Sequence, residues 1–240
     1  MLRGRTATYS VVRFLGEGFF GMVVEVRMLE RIGELDSDRC NVVSFKERFD
    51  HMGLTCLVFE MLDISLWDLV IDQKRVLVTR EIRPIAQQLL VAFDALKDIS
   101  VIHSDLKPDN VMLTNRRLDP YRVKLIDFGL ARPIAEVEQG MIMQPDAYRA
   151  PEVTLGCVCD VPIDMYGLGC TLAFLLLEQN LFPRSEYQSV KMMVDLLGIP
   201  PSVCGLPQRA ADCRPQTQTD PKQALQHAFI TMTHLTEDSD

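Results

Sequence analysis

The sequence lacks the features of a nucleic-acid-binding or membrane-spanning protein. Its 240 residues carry 25 lysines and arginines against 33 aspartates and glutamates, for a net charge of -8. Because nucleic acids and acidic membranes attract a basic surface, we expect neither as a partner. The longest uncharged apolar run, Met165 to Leu177, is too short to cross a bilayer and predicts a buried core helix.

The sequence also lacks cysteine spacings typical of zinc sites or disulfide frameworks. There are seven cysteines, and the two nearest neighbours, Cys157 and Cys159, are separated by one residue, which is not a usual ligand spacing. We therefore expect free thiols in a reducing compartment. The N-terminus leads into no apolar run, so no secretory signal is predicted. The length suits one large domain or two lobes that share a core.

Hydrophobic periodicity divides the chain into a β-rich first part and a helical remainder. From Thr79 onward apolar residues recur at helical spacing, with Pro84 expected in the first turn, where its missing N–H costs little. Residues 199–222 are rich in Pro, Gln and Thr and predict a loop. The β-rich part predicts strands over 9–15, 22–24, 41–49 and 54–60, with a glycine turn over 16–21.

The glycine turn contains Gly16, Gly18 and Gly21. Glycines at this spacing let a hairpin fold closely over the phosphates of a nucleotide and offer N–H groups to them. An unrelated hairpin that contains glycine is an equally good interpretation of this motif alone.

A stronger motif runs from Val101 to Leu113 and carries the groups that phosphoryl transfer needs. Asp105 supplies a carboxylate to orient and deprotonate a hydroxyl, Lys107 a cation for the transferring phosphate, and Asn110 an oxygen ligand for magnesium. Seventeen residues after Asn110, Asp127 follows the apolar run 123–126. A carboxylate at the end of a buried strand is well placed to hold magnesium against phosphates.

A third motif, Tyr148-Arg149-Ala150-Pro151-Glu152, is followed by Asp164 at the head of the apolar helix. Any one of these motifs could be a surface turn. Three in this order, each in its expected structural setting, make that explanation untenable.

On these residues the chain resembles the eukaryotic protein kinases over nearly its whole length. It is most similar to the homeodomain-interacting protein kinases, which are relatives of the dual-specificity tyrosine-regulated kinases. The closer similarity is carried by residues 55–62, 82–85, 103–105, 120–127 and 227–235.

The resemblance implies a role for each matching residue. It makes Asp105 the catalytic base, Lys107 a γ-phosphate contact, and Asn110 and Asp127 the magnesium ligands. Arg149 matches a position associated with proline-directed substrate choice, and Glu152 and Asp164 match structural or substrate-binding positions. Phe59 would lie behind the adenine. The ATP contacts implied by resemblance are Leu15, Gly16, Gly18, Gly21, Val23 and the backbones of Glu60 and Leu62.

The chain lacks the lysine that active members of the family carry in the small lobe. Active kinases carry a lysine on the third strand that grips the α- and β-phosphates and pairs with a helix glutamate. No lysine occurs between Gly21 and Phe45, and the first to follow is Lys46, in the expected fourth strand. Glu60 follows Gly21 by 39 positions, whereas four strands, a helix and their loops need about 47.

The junction left by the missing strand is expected near Val23–Val26. Residues 25–32 resemble the regulatory helix joined directly to the second strand. Glu25 is then either the helix glutamate without its lysine or an ordinary surface residue. A deletion, an alternative transcript and a faulty gene model are all compatible with the gap.

Further departures lie downstream. Ser104 stands where many kinases have an arginine that holds a phosphorylated loop, although the homeodomain-interacting relatives also lack it. Residues 127–152 contain no Ser or Thr and only Tyr148, and the relatives' regulatory tyrosine aligns with Ile142. The arginine expected to pair with Glu152 aligns with Gln218, and the helical stretch between residues like Leu197 and Pro221 is shortened.

The resemblance therefore implies one protein kinase domain over 1–240 with an α+β, bilobal fold. Its incomplete β-rich small lobe would span about 9–60, its hinge about 60–63 and its larger α-helical lobe about 64–235. We predict a proline-directed serine/threonine kinase of impaired activity that uses ATP and Mg²⁺. It would act on proteins, which include transcription regulators, and reside in the nucleus or cytoplasm. The alternative hypothesis is an inactive pseudokinase that serves as a nucleotide- or protein-binding scaffold.

Overall fold

A computed structural model describes residues 2–4, 6–9, 22–197 and 220–231. The strands are β1 (Leu2–Arg3), β2 (Thr8–Tyr9), β3 (Phe45–His51), β4 (Leu54–Phe59), β5 (Val101–Ile102), β6 (Val111–Asn115), β7 (Asp119–Leu125) and β8 (Arg132–Pro133). The helices are α1 (Met22–Ile32), α2 (Thr79–Asp98), α3 (Pro151–Thr154), α4 (Pro162–Leu177), α5 (Glu186–Leu197), α6 (Pro221–Leu225) and α7 (Ala228–Thr231).

Helix α1 corrects one prediction and confirms another. The strand predicted over residues 22–24 is wrong, because α1 already begins at Met22, whereas the helix predicted over residues 25–32 is present. Met28, Leu29 and Ile32 are buried on one side of α1, at the spacing of a helical face. A short apolar run cannot be assigned to strand or helix by periodicity alone, and packing of this face decides the matter. The expected junction near Val23–Val26 therefore moves to Met22 or earlier.

The two strands predicted next are present as an antiparallel hairpin of β3 and β4. Its turn is made by Met52 and Gly53, both with positive φ (50° and 78°). Glycine adopts this conformation without strain, so Gly53 allows the tight reversal. An isolated parallel bridge between Val42 and Leu125 and the hydrogen bond from the Val43 N–H to the Leu125 carbonyl (2.9 Å) tie the chain before β3 to β7.

Helix α2 is the centre of the core, as its periodicity predicted. Ile82, Ile85, Leu89, Phe93 and Leu96 are all buried on its inner face. Pro84 is not in the first turn, however, because the helix begins at Thr79 and places it in the second. The carbonyl that Pro84 leaves without an N–H belongs to Arg80, which is exposed, so water can solvate it.

Helix α4 contains the predicted apolar run and is buried along most of its length. Apart from residues 220–222, where α6 begins, the predicted loop 199–222 lies outside the described residues. The mixture of hairpins and packed helices confirms the α+β fold class. None of the helices that the structure describes is both long and apolar enough to cross a membrane.

Candidate active site

The loop between β5 and β6 is fixed by the buried carboxylate of Asp164 at the head of α4. Asp164 accepts the backbone N–H groups of His103 (2.7 Å) and Ser104 (2.9 Å). Burial raises the pKa of Asp164, while the nearby His103 and the two N–H donors lower it. Because a buried N–H without an acceptor is costly, this carboxylate holds the loop in one conformation, in which Ser104 has a φ of 60°.

Asp105 is held by two neighbours that sequence reasoning assigned to the same reaction. The side-chain amide of Asn110 donates to the Asp105 carbonyl (2.8 Å) and to its carboxylate (2.8 Å). The ammonium of Lys107 lies 2.9 and 3.1 Å from the two carboxylate oxygens. The Asp105 side chain is 6% exposed, whereas that of Lys107 is 29% exposed. The structure therefore brings a buried carboxylate and a partly exposed cation together, while their roles as base and phosphate contact stay predictions.

Asp127 lies at the end of β7, next to the turn that carries Asn110. The Ile126 N–H donates to the Asn110 carbonyl (2.9 Å), which joins the two segments. Asp127 is exposed, has a φ of 60° and accepts the Gly129 N–H (3.2 Å) on one carboxylate oxygen. His103 supports this arrangement, since its Nε2 lies 3.0 Å from the Ile126 carbonyl and its ring packs edge-on against Phe128.

These oxygens can serve a hard divalent cation. The amide nitrogen of Asn110 is engaged by Asp105, which leaves the amide oxygen as the side chain's remaining donor to a metal. Among the described residues no group of three or more His, Cys, Asp or Glu side chains is arranged around one point. The site thus offers one carboxylate and one amide oxygen, and phosphate oxygens and water would complete the coordination.

The segment after β4 is braced by a buried lysine that sequence reasoning passed over. Lys124 is 2% exposed, and its ammonium lies 2.7 Å from the Glu60 carboxylate and 2.7 Å from that of Asp38. The same Glu60 oxygen accepts the Ser44 N–H (2.6 Å), and the Glu60 N–H donates to the Ser44 carbonyl (3.0 Å). The sequence signal for this ion pair was a lysine within a predicted buried strand, because a buried lysine almost always has a partner of opposite charge.

A family model for the protein kinase domain matches residues 22–230. The chain belongs to the protein kinase family. It is 38% identical to homeodomain-interacting protein kinase 1 of Caenorhabditis elegans, over 81% of this chain and 26% of the relative. It is 37% identical to kinase 2 of that group from Mesocricetus auratus, over 83% of this chain and 20% of the relative. Human kinase 4 of the group is 32% identical over 83% of this chain and 38% of its own length.

These matches confirm that the chain is a protein kinase close to the homeodomain-interacting group. By resemblance, it is a serine/threonine kinase. The chain spans between about a fifth and two fifths of the length of these relatives. The resemblance predicts that Asp105 and Asn110 lie in the catalytic loop, residues 60–63 in the hinge and residues 127–152 in the activation segment.

A hydrogen bond from a serine side chain to the main chain ties the predicted activation segment to the catalytic loop. The Ser104 hydroxyl, at the position where many kinases have arginine, donates to the Leu130 carbonyl (2.7 Å). Strands β5 and β8 pair antiparallel beside it. Ile142, aligned with the relatives' regulatory tyrosine, is 82% exposed. Tyr148 is buried, and its hydroxyl donates to the Asn180 side chain (2.8 Å), while burial raises its pKa.

Arg149 organises the end of the same segment. Its guanidinium donates to the carbonyls of Met143 (3.0 Å) and Gln144 (2.9 Å) and pairs with Asp146 (2.9 Å). Gln144, which the sequence did not single out, has a φ of 66°, and its amide bonds the Ala150 N–H and the Ile163 carbonyl. A buried glutamine with positive φ was not predictable from the local pattern.

Of the remaining predicted site residues, some lie in the described part of the chain and others lie outside it. Glu152 is buried in the first turn of α3, whereas Gln218 lies outside the described residues. Leu62 is half-buried in the hinge and packs against the main core, and Phe59 packs against Phe45. Val23 belongs to α1, so its placement on a strand is wrong and its role as an ATP contact stays a prediction. Leu15, Gly16, Gly18 and Gly21 lie outside the described residues.

Proposed function

We propose that this chain is a protein serine/threonine kinase that transfers the γ-phosphate of ATP slowly, with Mg²⁺, to serine or threonine followed by proline. The observation that carries the proposal is the clamp on Asp105, whose carboxylate is held by both Asn110 and Lys107. An abandoned site would have no reason to keep all three groups within bonding distance.

The chain's own residues supply three parts of the reaction. Asp105 is positioned to accept the proton of a substrate hydroxyl as that oxygen attacks the γ-phosphorus. Lys107, partly exposed beside it, stabilises the negative charge of the transferring phosphoryl group. Asn110 and Asp127 would hold Mg²⁺, which when bound neutralises charge on the phosphates.

The expected slowness comes from the missing third-strand lysine. Lys46 is exposed on β3 and has no ion pair within the described part of the chain. Phosphoryl transfer depends on positioning and on fixed charge, so removing one preorganised cation raises the barrier. By analogy with the loss of one oxyanion-hole donor, the cost is about 2.7–4 kcal/mol, or roughly 10²–10³ in rate.

Arg149 supports the preference for proline. It already occupies the carbonyls of Met143 and Gln144, so these carbonyls are less available to an incoming backbone N–H. Proline has no N–H to offer and therefore loses little where other residues would lose a bond. The relatives are named for interaction with homeodomains, and we propose transcription regulators as substrates and the nucleus or cytoplasm as the place of action.

The experiment is to restore the missing strand. Because α1 begins at Met22, a lysine-bearing third strand from a homeodomain-interacting kinase is inserted immediately before it. Phosphorylation of a Ser-Pro peptide should rise at least about a hundredfold. The same insert with methionine in place of its lysine is the matched control and should give little gain, and Asp105→Asn in the repaired chain should abolish activity.

A nucleotide-binding pseudokinase is the second candidate, favoured by the absence of any lysine before Lys46. The two candidates differ in the unmodified chain. Slow ³²P transfer that is lost in Asp105→Asn supports the kinase. Mg-ATP binding with no transfer, before and after the insertion, would establish the pseudokinase and overturn the proposal.

A further inference from the structure

A groove away from the catalytic residues lies between the hinge, the turn before α2 and the β6–β7 hairpin. It has a volume of about 670 Å³, and its walls include Met61, Asp63, Arg75, Asn115, Arg116 and Arg117. None of the four groups assigned to phosphate transfer (Asp105, Lys107, Asn110 and Asp127) lines it. Leu62, whose backbone the resemblance assigns to ATP, does line it, so the groove adjoins the predicted hinge but lies apart from the phosphate-transfer groups.

The groove carries positive charge on an acidic protein. Three of its lining residues are arginines and one, Asp63, is a carboxylate, whereas the whole chain has a net charge of -8. Arg75 pairs with Glu81 (3.0 Å), which does not line the groove, so Arg75 adds little net charge. Arg116 bonds Asp63 (2.9 Å) and Gln73 (2.7 Å), which uses up that carboxylate and lowers the pKa of Asp63. Arg117 is the lining arginine that has no ion pair among the described residues, and an exposed cation on an acidic protein favours an acidic ligand.

Two cations at the groove are open to a partner. Arg117 is exposed on the β6–β7 turn, and its side chain makes no ion pair or hydrogen bond within the described residues. Its backbone is fixed, because the Asn115 carboxamide oxygen accepts the N–H groups of Arg117 (3.1 Å) and Leu118 (3.2 Å). Lys74 does not line the groove but adjoins Gln73 and Arg75, which do. It is exposed, has a φ of 52° and likewise has no ion pair in the described part of the chain.

Apolar side chains stand exposed beside these charges. Met61 in the groove wall is 93% exposed, Leu118 next to Arg117 is 84% exposed and Val76 next to Arg75 is 61% exposed. Exposed apolar residues that adjoin fixed charges are typical of sites that bind other proteins. Nucleic acid would use the cations but would leave these apolar side chains in water.

We propose that this groove docks an acidic segment of a partner protein, one in which Asp or Glu alternates with apolar residues. The carboxylates pair with Arg117 and Lys74, and the apolar side chains cover Met61 and Leu118. Arginine suits this role because its planar guanidinium binds a carboxylate through two hydrogen bonds. Docking at a distance from Asp105 would hold a substrate near the kinase without occupying the catalytic loop.

The test uses the 240-residue chain and a short fluorescein-labelled peptide in which Glu and Asp alternate with Leu. Fluorescence anisotropy should show saturable binding that weakens as salt is raised. Arg117→Glu should raise Kd at least about tenfold, because a charge-assisted hydrogen bond becomes a repulsion. Arg48→Glu makes the same charge change at an exposed position of β3 outside the groove and should leave Kd unchanged.

Each control has an outcome that decides against the proposal. Absence of binding, or equal weakening by Arg117→Glu and Arg48→Glu, would overturn it. So would equal affinity for a single-stranded oligonucleotide, or for an acidic peptide with Ser in place of Leu. If binding appears only after Glu237→Gln, Asp238→Asn and Asp240→Asn, the occupant is this chain's own acidic tail. Asp105→Asn should bind the peptide normally, which separates this result from any failure of catalysis.

Discussion

Replacing Lys124 with methionine tests whether the hinge depends on its buried ion pair. Methionine keeps most of the apolar stem of lysine but removes the charge that faces Glu60. Removing one partner of a fully buried pair costs about 3–5 kcal/mol, because the other charge is left buried. The Glu60 side chain is 22% exposed and keeps the Ser44 N–H, so we expect a smaller loss, about 2–3 kcal/mol.

The assay is reversible thermal unfolding followed by circular dichroism. For a chain of this size a loss of 2–3 kcal/mol lowers Tm by about 4–12 °C. Lys46→Met is the matched control, since Lys46 is exposed on β3, and its effect should stay within about 0.5 kcal/mol. Adding Glu60→Gln to Lys124→Met should recover more than half of the loss, because no lone carboxylate remains. A Lys124→Met variant as stable as the parent, or a double variant no better than the single one, would refute the reasoning.

Three further predictions concern the active site. Mg-ATP should bind to this chain, because Asn110 and Asp127 remain, but more weakly than to kinases that have the third-strand lysine. Absence of heat in titration calorimetry at millimolar nucleotide would contradict this. Phosphatase treatment and Tyr148→Phe should each leave the rate of phosphate transfer within about twofold of the parent. The reason is that the buried Tyr148 hydroxyl is the only side-chain hydroxyl in the activation segment. A large drop after phosphatase would show a modified site elsewhere. Asp164→Ala should destabilise the fold by about 2–5 kcal/mol, because two buried N–H groups lose their acceptor. Asp164→Asn should destabilise it by about half as much. Equal Tm values for the two variants would rule out this account.

The catalytic loop was predictable because its chemistry and its local sequence coincide. Asp105, Lys107 and Asn110 lie within six consecutive positions, so any fold that forms this loop brings them together. Asp127 could be added because it follows an apolar strand whose partner, β6, begins directly after Asn110. Here short sequence separation made the geometry almost independent of the rest of the fold.

Contacts between distant segments were not predictable in the same way. Lys124 meets Glu60 across 64 positions, and Ser104 meets Leu130 across 26, so neither pairing leaves a local pattern. The strand predicted over residues 22–24 failed for a related reason. A short apolar run suits either a strand or a helix, and burial of Met28, Leu29 and Ile32 selected the helix. Tertiary packing decided each of these cases.

The hydrogen bond from Ser104 to Leu130 has a consequence for how such a protein would be controlled. A kinase that waits for a phosphate can be made in advance and stored in an off state. In this chain the tie between the catalytic loop and the activation segment forms as the polypeptide folds, from a serine hydroxyl and a main-chain carbonyl. The arrangement then arrives complete with the protein itself. If this bond serves in place of a phosphate, we expect the kinase activity in a cell to follow the amount of the polypeptide, which synthesis and degradation set.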